Sequence, residues 1–88
     1  MASPYTIKHS PEFSELVAAL SEQTQAELAA VYRALAHGPL PGQSLLAVEP
    51  YSAVPNTYTV PFRSGLLIYV VPPGKRVVGM VDMVGVKP

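Results

Sequence analysis

The sequence contains no cysteine and no long apolar run. Without cysteine the chain can form neither disulfides nor thiolate metal sites, so a reducing compartment is expected. The longest apolar stretch, Leu66 to Val71, is far shorter than the ~20 residues that a membrane helix needs. The segment from Met1 to Lys8 lacks a basic stretch followed by an apolar one, which predicts that no signal peptide is present. We therefore expect a soluble cytoplasmic protein that does not contact a membrane.

Charged residues are also scarce. They make up 14% of the chain, against the ~25% of ordinary soluble domains, while hydrophobic residues make up 49%. A surface short of charge predicts that some apolar area faces a partner rather than water. Residues 1–27 hold one lysine against four glutamates, net −3, and residues 28–88 hold five basic residues against two acidic ones, net +3. The mildly basic second part could contact phosphates or could be ordinary solvated surface.

The chain has room for one domain, residues 1–88, and it begins with a predicted strand and helix. The alternation over Tyr5–Lys8 predicts a short strand. Ser10 suits the N-cap of a helix, and Pro11 suits the first helical position, where no N–H is needed. The helix that follows has one apolar stripe at i, i+3, i+4 and i+7, formed by Phe13, Leu16, Val17 and Leu20.

A second helix is predicted to begin near Ser21 or Thr24, where Thr24 and Glu27 have the spacing of a capping box. Its apolar stripe repeats the first, with Leu28, Val31, Tyr32 and Leu35. Gly38 is expected to end it in the left-handed conformation, and Pro39 forbids continuation. Because only a few residues separate the two helices, they should form an αα-hairpin laid on a sheet.

The C-terminal half reads as strands after an irregular segment. Residues 38–55 are rich in proline and glycine, and within them residues 45–48 could form a short strand or a buried loop. Residues 58–62 alternate like a half-buried strand, in which Pro61 belongs at an edge or a bulge because it lacks an N–H.

A hairpin is predicted to follow. Leu66–Val71 is apolar on both faces, as a central strand should be, and a type II turn with Pro73 and Gly74 at its centre leads into a last strand over residues 76–84. The order is β-α-α-(β)-β-β-β. We therefore predict an α+β fold in which the αα-hairpin packs on a small twisted antiparallel sheet.

Four segments of the chain have a pattern found together in one known family: "YTIKHSPEFSELVAAL", "YRALAHGPLPG", "NTYTVPFRSGLLIYVV" and "VVGMVDMVGVKP". In these segments the chain resembles the RelE/ParE superfamily of bacterial toxins from toxin–antitoxin pairs. Family features matched here are Tyr58 on one strand, the triplet Leu67-Ile68-Tyr69 on the next, and Val84-Gly85 followed closely by Lys87. The similarity spans nearly the whole chain, and most of its matches are expected core residues.

The resemblance implies two modes of action and a partner. RelE-like members cleave messenger RNA on the ribosome, ParE-like members inhibit DNA gyrase, and both are held inactive by a cognate antitoxin protein. RelE-like chemistry draws on basic residues of the sheet, but the corresponding positions here are Thr59, Pro61, Leu66 and Val86. RNA cleavage needs a base, a cation for the phosphorane and an acid, so these replacements argue against strong activity.

Five side chains remain as candidates for function. Arg63, Tyr69 and Lys87 are the candidate catalytic residues, and Arg63, Lys75, Arg76 and Lys87 are the candidate nucleic-acid contacts. Each has a plainer alternative: Arg63 and Lys87 as solvated surface charges, Tyr69 as a core residue of the sheet, and Lys75 and Arg76 as decoration of a hairpin turn.

Other chemistries have less support. His9 and His37 lack acidic or cysteine neighbours at ligand spacing, and no phosphate-binding loop or hydrolase motif occurs, so no metal or cofactor is expected. Asp82 could be a buried functional acid or a rim carboxylate paired with a basic residue. The competing functions are a toxin of altered mechanism, a non-catalytic binding module of the same fold, and a self-associating protein using its apolar strands.

Overall fold

The computed structural model describes residues 4–44, 46–51 and 54–85. They form two helices and one five-stranded sheet. The elements in chain order are β1 (Thr6–His9), α1 (Pro11–Ala18), α2 (Glu22–His37), β2 (Glu49–Pro50), β3 (Thr57–Phe62), β4 (Gly65–Val70) and β5 (Val77–Val84). The predicted α+β class is confirmed.

The sheet is mixed, which corrects the prediction of an antiparallel sheet. Its strand order is β1-β5-β4-β3-β2, and β2 to β5 form an antiparallel meander. β1 lies parallel to β5, with Ile7 opposite Val78. The physical reason is the long connection: β1 is separated from the meander by both helices, and such a crossover permits the parallel pairing that a tight hairpin cannot make.

Serine side chains cap both helices. The Ser10 hydroxyl accepts a hydrogen bond from the Phe13 N–H, and the Ser21 hydroxyl accepts one from the Thr24 N–H, each at 3.2 Å. Ser21 is therefore the N-cap of α2, and Thr24 lies inside the helix, against the alternative start. Among the described residues, no helix is both long enough and apolar enough to cross a membrane.

Gly38 ends α2, but for a different reason from the predicted one. Its φ of −177° is extended backbone that any residue adopts, so the expected left-handed conformation was wrong. A side chain at this position is excluded instead by crowding, because a Cβ on Gly38 would lie 2.7 Å from the carbonyl oxygen of Gln43.

The apolar stripe of α1 is only partly used. Phe13 is buried and Val17 is half-buried, but the Leu16 side chain is 48% exposed, which corrects its predicted place in the core. The helix is only eight residues long, and its chain turns at Ala19 into α2. The Gln25 amide fastens that turn by donating to the carbonyls of Val17 and Leu20, both at 3.0 Å.

The C-terminal half largely follows the predicted pattern. Leu46–Val48 forms a bent, partly buried loop rather than a strand, because the Val48 N–H turns back to the Leu46 carbonyl, and Leu45 lies outside the described residues. Pro61 meets the edge prediction, since β2 pairs only with Tyr58 and Thr59 and ends before it. The type II turn is confirmed by Gly74, with a φ of +76°.

The core lies between the helical hairpin and one face of the sheet. Both helices contribute to it, and so do the three long strands of the meander. Its side chains, each at most 6% exposed, are Phe13, Leu28, Val31, Leu35, Val60, Leu67, Tyr69, Val71, Val78 and Met80. Burying this set stabilises the fold by roughly 1.5–3 kcal/mol for each large side chain.

Candidate functional site

The side chains that the sequence nominates for function are spread over the molecule. Arg63 lies in the tight turn between β3 and β4, whereas Lys75 and Arg76 lie between β4 and β5. All three are exposed. β4 separates the two turns, and its six residues span about 20 Å at ~3.3 Å per residue. Lys87 lies outside the described residues, so the described candidates do not form one catalytic group.

Tyr69 is fully buried in the sheet. Its hydroxyl donates a 2.6 Å hydrogen bond to the carbonyl oxygen of Pro39, and its ring centroid lies 5.9 Å from that of Tyr58. Burial, together with the neighbouring Tyr58, raises the pKa of the Tyr69 hydroxyl above its ordinary value. A buried hydroxyl already bonded to the backbone does not reach a substrate, so the structure gives Tyr69 the core role that was its alternative.

The turn that holds Arg63 is tied to α2. The hydroxyl of the next residue, Ser64, donates a 2.8 Å hydrogen bond to the carboxylate of Glu27. This bond places a negative charge beside the turn, and a negative charge opposes the approach of a phosphate. Arg63 is therefore poorly placed as a phosphate contact, and the plainer role of a solvated charge suits it.

Arg76 and Lys75 follow the type II turn. The guanidinium of Arg76 lies 4.5 Å from the centroid of the Tyr5 ring, a cation–π contact that joins this turn to the start of β1. Lys75 completes the turn, its N–H donating to the Pro72 carbonyl. Both residues make contacts that belong to the turn, and Lys75 also lines a cleft beside it.

The helices leave one face of the sheet bare among the described residues. Leu67 and Tyr69 of β4 point into the core, so the alternate side chains, Leu66, Ile68 and Val70, lie on the opposite face. These three are only half-buried. Cross-strand pairing extends this surface, which we call the uncovered face. It adds Thr57, Thr59 and Pro61 on β3, Val77, Gly79, Asp82 and Val84 on β5, and Thr6 and Lys8 on β1, and of these Thr57 is buried.

The positions where RelE-like members are expected to hold basic residues fall on the uncovered face. Thr59, Pro61 and Leu66 all lie there, while Val86 lies outside the described residues. They are joined by the apolar row along β4, and none of them carries a charge. The described part of this face therefore offers no central cation that could bind a phosphate or stabilise a phosphorane.

Charge is sparse on the described part of the uncovered face. Lys8 lies on the edge strand β1, and Glu49, on the other edge strand, is paired with Thr59. Asp82 lies on β5 directly opposite Ile68, next to the bulge of that strand. A mainly apolar surface with few charges is typical of a protein–protein contact.

Asp82 is exposed and its carboxylate accepts a 2.8 Å bond from the Met83 N–H, so the predicted buried acid is wrong. Its predicted pairing with a basic residue stays a prediction, since Lys87 lies outside the described residues.

Histidines and metal ligands add nothing further in the described ranges. The His9 ring nitrogen Nδ1 lies 2.6 Å from the Ser14 hydroxyl, and the ring packs on Phe13. His37 is the exposed last residue of α2. No group of three or more metal-ligating side chains occurs among residues 4–44, 46–51 and 54–85.

The sequence predicted that some apolar area faces a partner, but it did not identify this face of the sheet as that area. The run Leu66–Val71 was interpreted as a central strand, which is correct for its place in the sheet. The signal that could have identified the surface is the helix count: one short αα-hairpin covers one face of a sheet, so the second apolar face of that run must face solvent or a partner.

Comparison with known proteins identifies no relative: no family model matches the chain, and no curated protein or solved structure shows a significant match.

Proposed function

We propose that this chain is a non-catalytic protein-binding module whose contact surface is the uncovered face of its sheet. The observation that carries the proposal is the row Leu66, Ile68 and Val70, only half-buried on a face that the described helices do not cover. Water contacts these aliphatic groups in the isolated chain, and removing each Å² of apolar surface from water is worth about 25 cal/mol.

The electrostatics of the uncovered face favour protein over nucleic acid as the partner. Nucleic-acid surfaces place Lys and Arg where phosphates lie, whereas the centre of this face holds aliphatic and threonine side chains. Arg63, Lys75 and Arg76 lie in turns at the two ends of the sheet. A partner that covers the centre must therefore be apolar there.

The occupant that fits is a helical segment of another protein with an aliphatic stripe. The opposite face of the same strands is covered in that way, by Leu28, Val31 and Leu35 of α2. Charges of both signs would set the orientation of the segment: Lys8 and Glu49 at the two edges, and Asp82 opposite Ile68.

Site-specific cross-linking in cells tests this proposal. Benzoylphenylalanine replaces Thr59 on the uncovered face in one variant and Ala30, on the exposed side of α2, in the matched control. We expect a discrete protein adduct from position 59, none from position 30, and loss of the adduct when Ile68→Glu places a charge in the centre. Ile68→Val is the conservative control and should retain it.

Three outcomes would overturn the proposal. A nuclease-sensitive adduct would assign the face to nucleic acid, and an adduct made only of this chain would assign it to a second copy. Equal labelling from positions 59 and 30 would mean that the face has no preferred partner. Cleavage of messenger RNA by the purified protein on ribosomes, at a rate unchanged by Ile68→Glu, would also refute a non-catalytic role.

A second candidate function is the toxin of a toxin–antitoxin pair that acts by binding a protein such as DNA gyrase. Its support is the element order, a strand and two helices followed by an antiparallel meander, together with the RelE/ParE-like segments of the sequence. In that case the apolar helical partner would be the cognate antitoxin. Ribosome-dependent cleavage is the less supported branch, given the uncharged positions Thr59, Pro61 and Leu66.

Conditional expression with a growth readout separates the two candidates. A toxin of this kind should arrest growth when induced alone, should still do so as the Arg63→Ala/Lys87→Ala double variant, and should fail to do so as Ile68→Glu. Unimpaired growth with the wild-type chain would remove the toxin function and leave the binding module. Loss of toxicity in the double variant alone would instead point to a mechanism that needs the two cations.

A further inference from the structure

A cleft opens at the end of the sheet, next to the β4–β5 turn and away from the uncovered face. Its volume is about 230 Å³. Tyr5, which precedes β1, and Tyr58 of β3 form part of its wall, with the turn residues Pro72 to Lys75 and with Asn56. Tyr58 pairs with Tyr69 on the core side of the sheet, so the cleft and the uncovered face are separate surfaces.

The cleft gathers hydrogen-bonding groups that the fold does not use. Within the described residues, the hydroxyls of Tyr5 and Tyr58, the side-chain amide of Asn56 and the ammonium of Lys75 have no hydrogen-bond partner in the protein. Each of these groups can donate a hydrogen bond. Several residues with unused donors in the lining of one concave site are typical of a ligand site rather than of a structural network.

The charge of the cleft has one sign. Lys75 is the charged residue in its lining. The lining contains no carboxylate. A lining with hydrogen-bond donors, an ammonium and no carboxylate favours an anionic group.

The turn also fixes the backbone of Lys75 before any ligand binds. The type II turn comprises Pro72, Pro73, Gly74 and Lys75, and in it the Lys75 N–H donates to the Pro72 carbonyl. Across the cleft, Asn56 has a φ of +59°, and its carbonyl accepts a hydrogen bond from the Val71 N–H. Proline fixes the backbone on one side and the hydrogen bond fixes it on the other. Such preorganisation lowers the entropy lost on binding.

We propose that this cleft binds a small anion, a carboxylate or a phosphate monoester, attached to a planar apolar body of about the size of one aromatic ring. The volume limits the ligand to a fragment, below the ~300–1,000 Å³ of sites for drug-sized molecules. The aromatic and proline walls take the planar body, while Lys75, Asn56 and the two hydroxyls take the anion.

Titration followed by amide NMR shifts tests the assignment with four probes. Benzoate and phenyl phosphate should shift the amides of Asn56, Gly74 and Lys75 with affinities on the order of millimolar. Benzyl alcohol and benzylamine, which have the same ring without the negative charge, should not. Whichever anion binds more tightly identifies the carboxylate or the phosphate as the natural group.

Variants make the test specific to the cleft. Lys75→Gln should weaken binding of the anionic probes at least about fivefold, because it removes the charged donor. Lys75→Arg should restore it, and Arg63→Gln, the same loss of charge at the other end of the sheet, should leave it unchanged. Tyr58→Phe removes a single hydroxyl and should weaken binding without unfolding the chain, which thermal melting of each variant checks.

Other outcomes overturn the proposal. Equal shifts with neutral and anionic probes would show a pocket without charge selection. Equal weakening by Lys75→Gln and Arg63→Gln would show a diffuse effect of net charge. No shift at Asn56, Gly74 or Lys75 up to about 20 mM probe, well above the expected range, would show that the cleft does not bind such anions.

Discussion

The two faces of the sheet carry similar side chains in very different surroundings. On β4, Leu67 is fully buried under the helices, while Leu66, its neighbour, is half-buried on the uncovered face. The difference is made by two helices that cover one side only. A strand that is apolar on both faces is stabilised when both faces are buried. The number of helices that can pack on the sheet determines which face is buried within the chain.

The covered face is also fixed by a polar contact that the other lacks. The Tyr69 hydroxyl bonds to the buried Pro39 carbonyl just after α2, which links the sheet to the end of the helix. On the uncovered face, the described side-chain hydrogen bonds are local ones: Asp82 accepts from the Met83 N–H, and the Thr57 hydroxyl donates to the Pro55 carbonyl. They do not link this face to either helix.

The largest expected effect is on the free energy of unfolding, and it distinguishes Leu67 from Leu66. Leu67→Ala should lower the free energy of unfolding by about 2–5 kcal/mol, because it leaves a cavity in the core. Leu66→Ala should cost less, about 1–2 kcal/mol, since the same atoms are lost from a site that is only half-buried and leaves no closed cavity. Urea unfolding of both variants measures the pair, and similar losses would show that both faces are equally buried.

The next effect compares two buried tyrosine hydroxyls. Tyr69→Phe should destabilise the fold by about 1–3 kcal/mol, because the Pro39 carbonyl loses its donor. Tyr32→Phe should be neutral or stabilising, since the buried Tyr32 hydroxyl has no hydrogen-bond partner among the described residues.

Thermal melting of the two variants at one pH gives the comparison directly. A destabilising Tyr32→Phe would reveal a partner for that hydroxyl, and a neutral Tyr69→Phe would show that the bond to Pro39 contributes nothing.

The smallest expected effect is a loss of stability in alkali. Burial raises the pKa of the Tyr69 hydroxyl above the ordinary value of 10.0. Burial also raises the pKa of the Tyr32 hydroxyl. The folded state therefore keeps these protons longer than the unfolded state does. The stabilisation is complete below pH 10 and declines above it, by up to about 1.4 kcal/mol per pH unit for Tyr69.

Unfolding in urea between pH 9 and 11, roughly one unit on either side of the ordinary tyrosine value, measures this decline. Subtracting the curve of Tyr32→Phe/Tyr69→Phe isolates the tyrosine contribution from that of the lysines. Parallel curves for wild type and the double variant would contradict raised tyrosine pKa values.

Local signals in the sequence predicted much of the fold. Ser10 and Pro11 mark the start of α1, Gly74 marks the type II turn, and the alternation around Tyr58 marks β3. The parallel pairing of β1 depends on a crossover whose direction no local pattern encodes. The crowding at Gly38 likewise depends on Gln43, which the fold brings to it.

The candidate site was less accessible to sequence reasoning. Ile68 and Tyr69 are neighbours on one strand, but Tyr69 is buried and Ile68 is only half-buried. The helices cause this difference, because they pack on the face that holds Tyr69. The cleft combines Tyr5 with Lys75, which are 70 positions apart in the chain and meet only because β1 pairs with β5.

Solvent paramagnetic relaxation of methyl groups tests the central claim most directly. In dilute wild-type protein, a soluble gadolinium probe should relax the methyls of Leu66, Ile68 and Val70 several-fold faster than those of Leu67, Val60 and Val78, because only the first set faces solvent. Equal relaxation of the two sets of methyl groups would contradict the account. It would mean that the apolar row is already buried within the chain and cannot bind a partner.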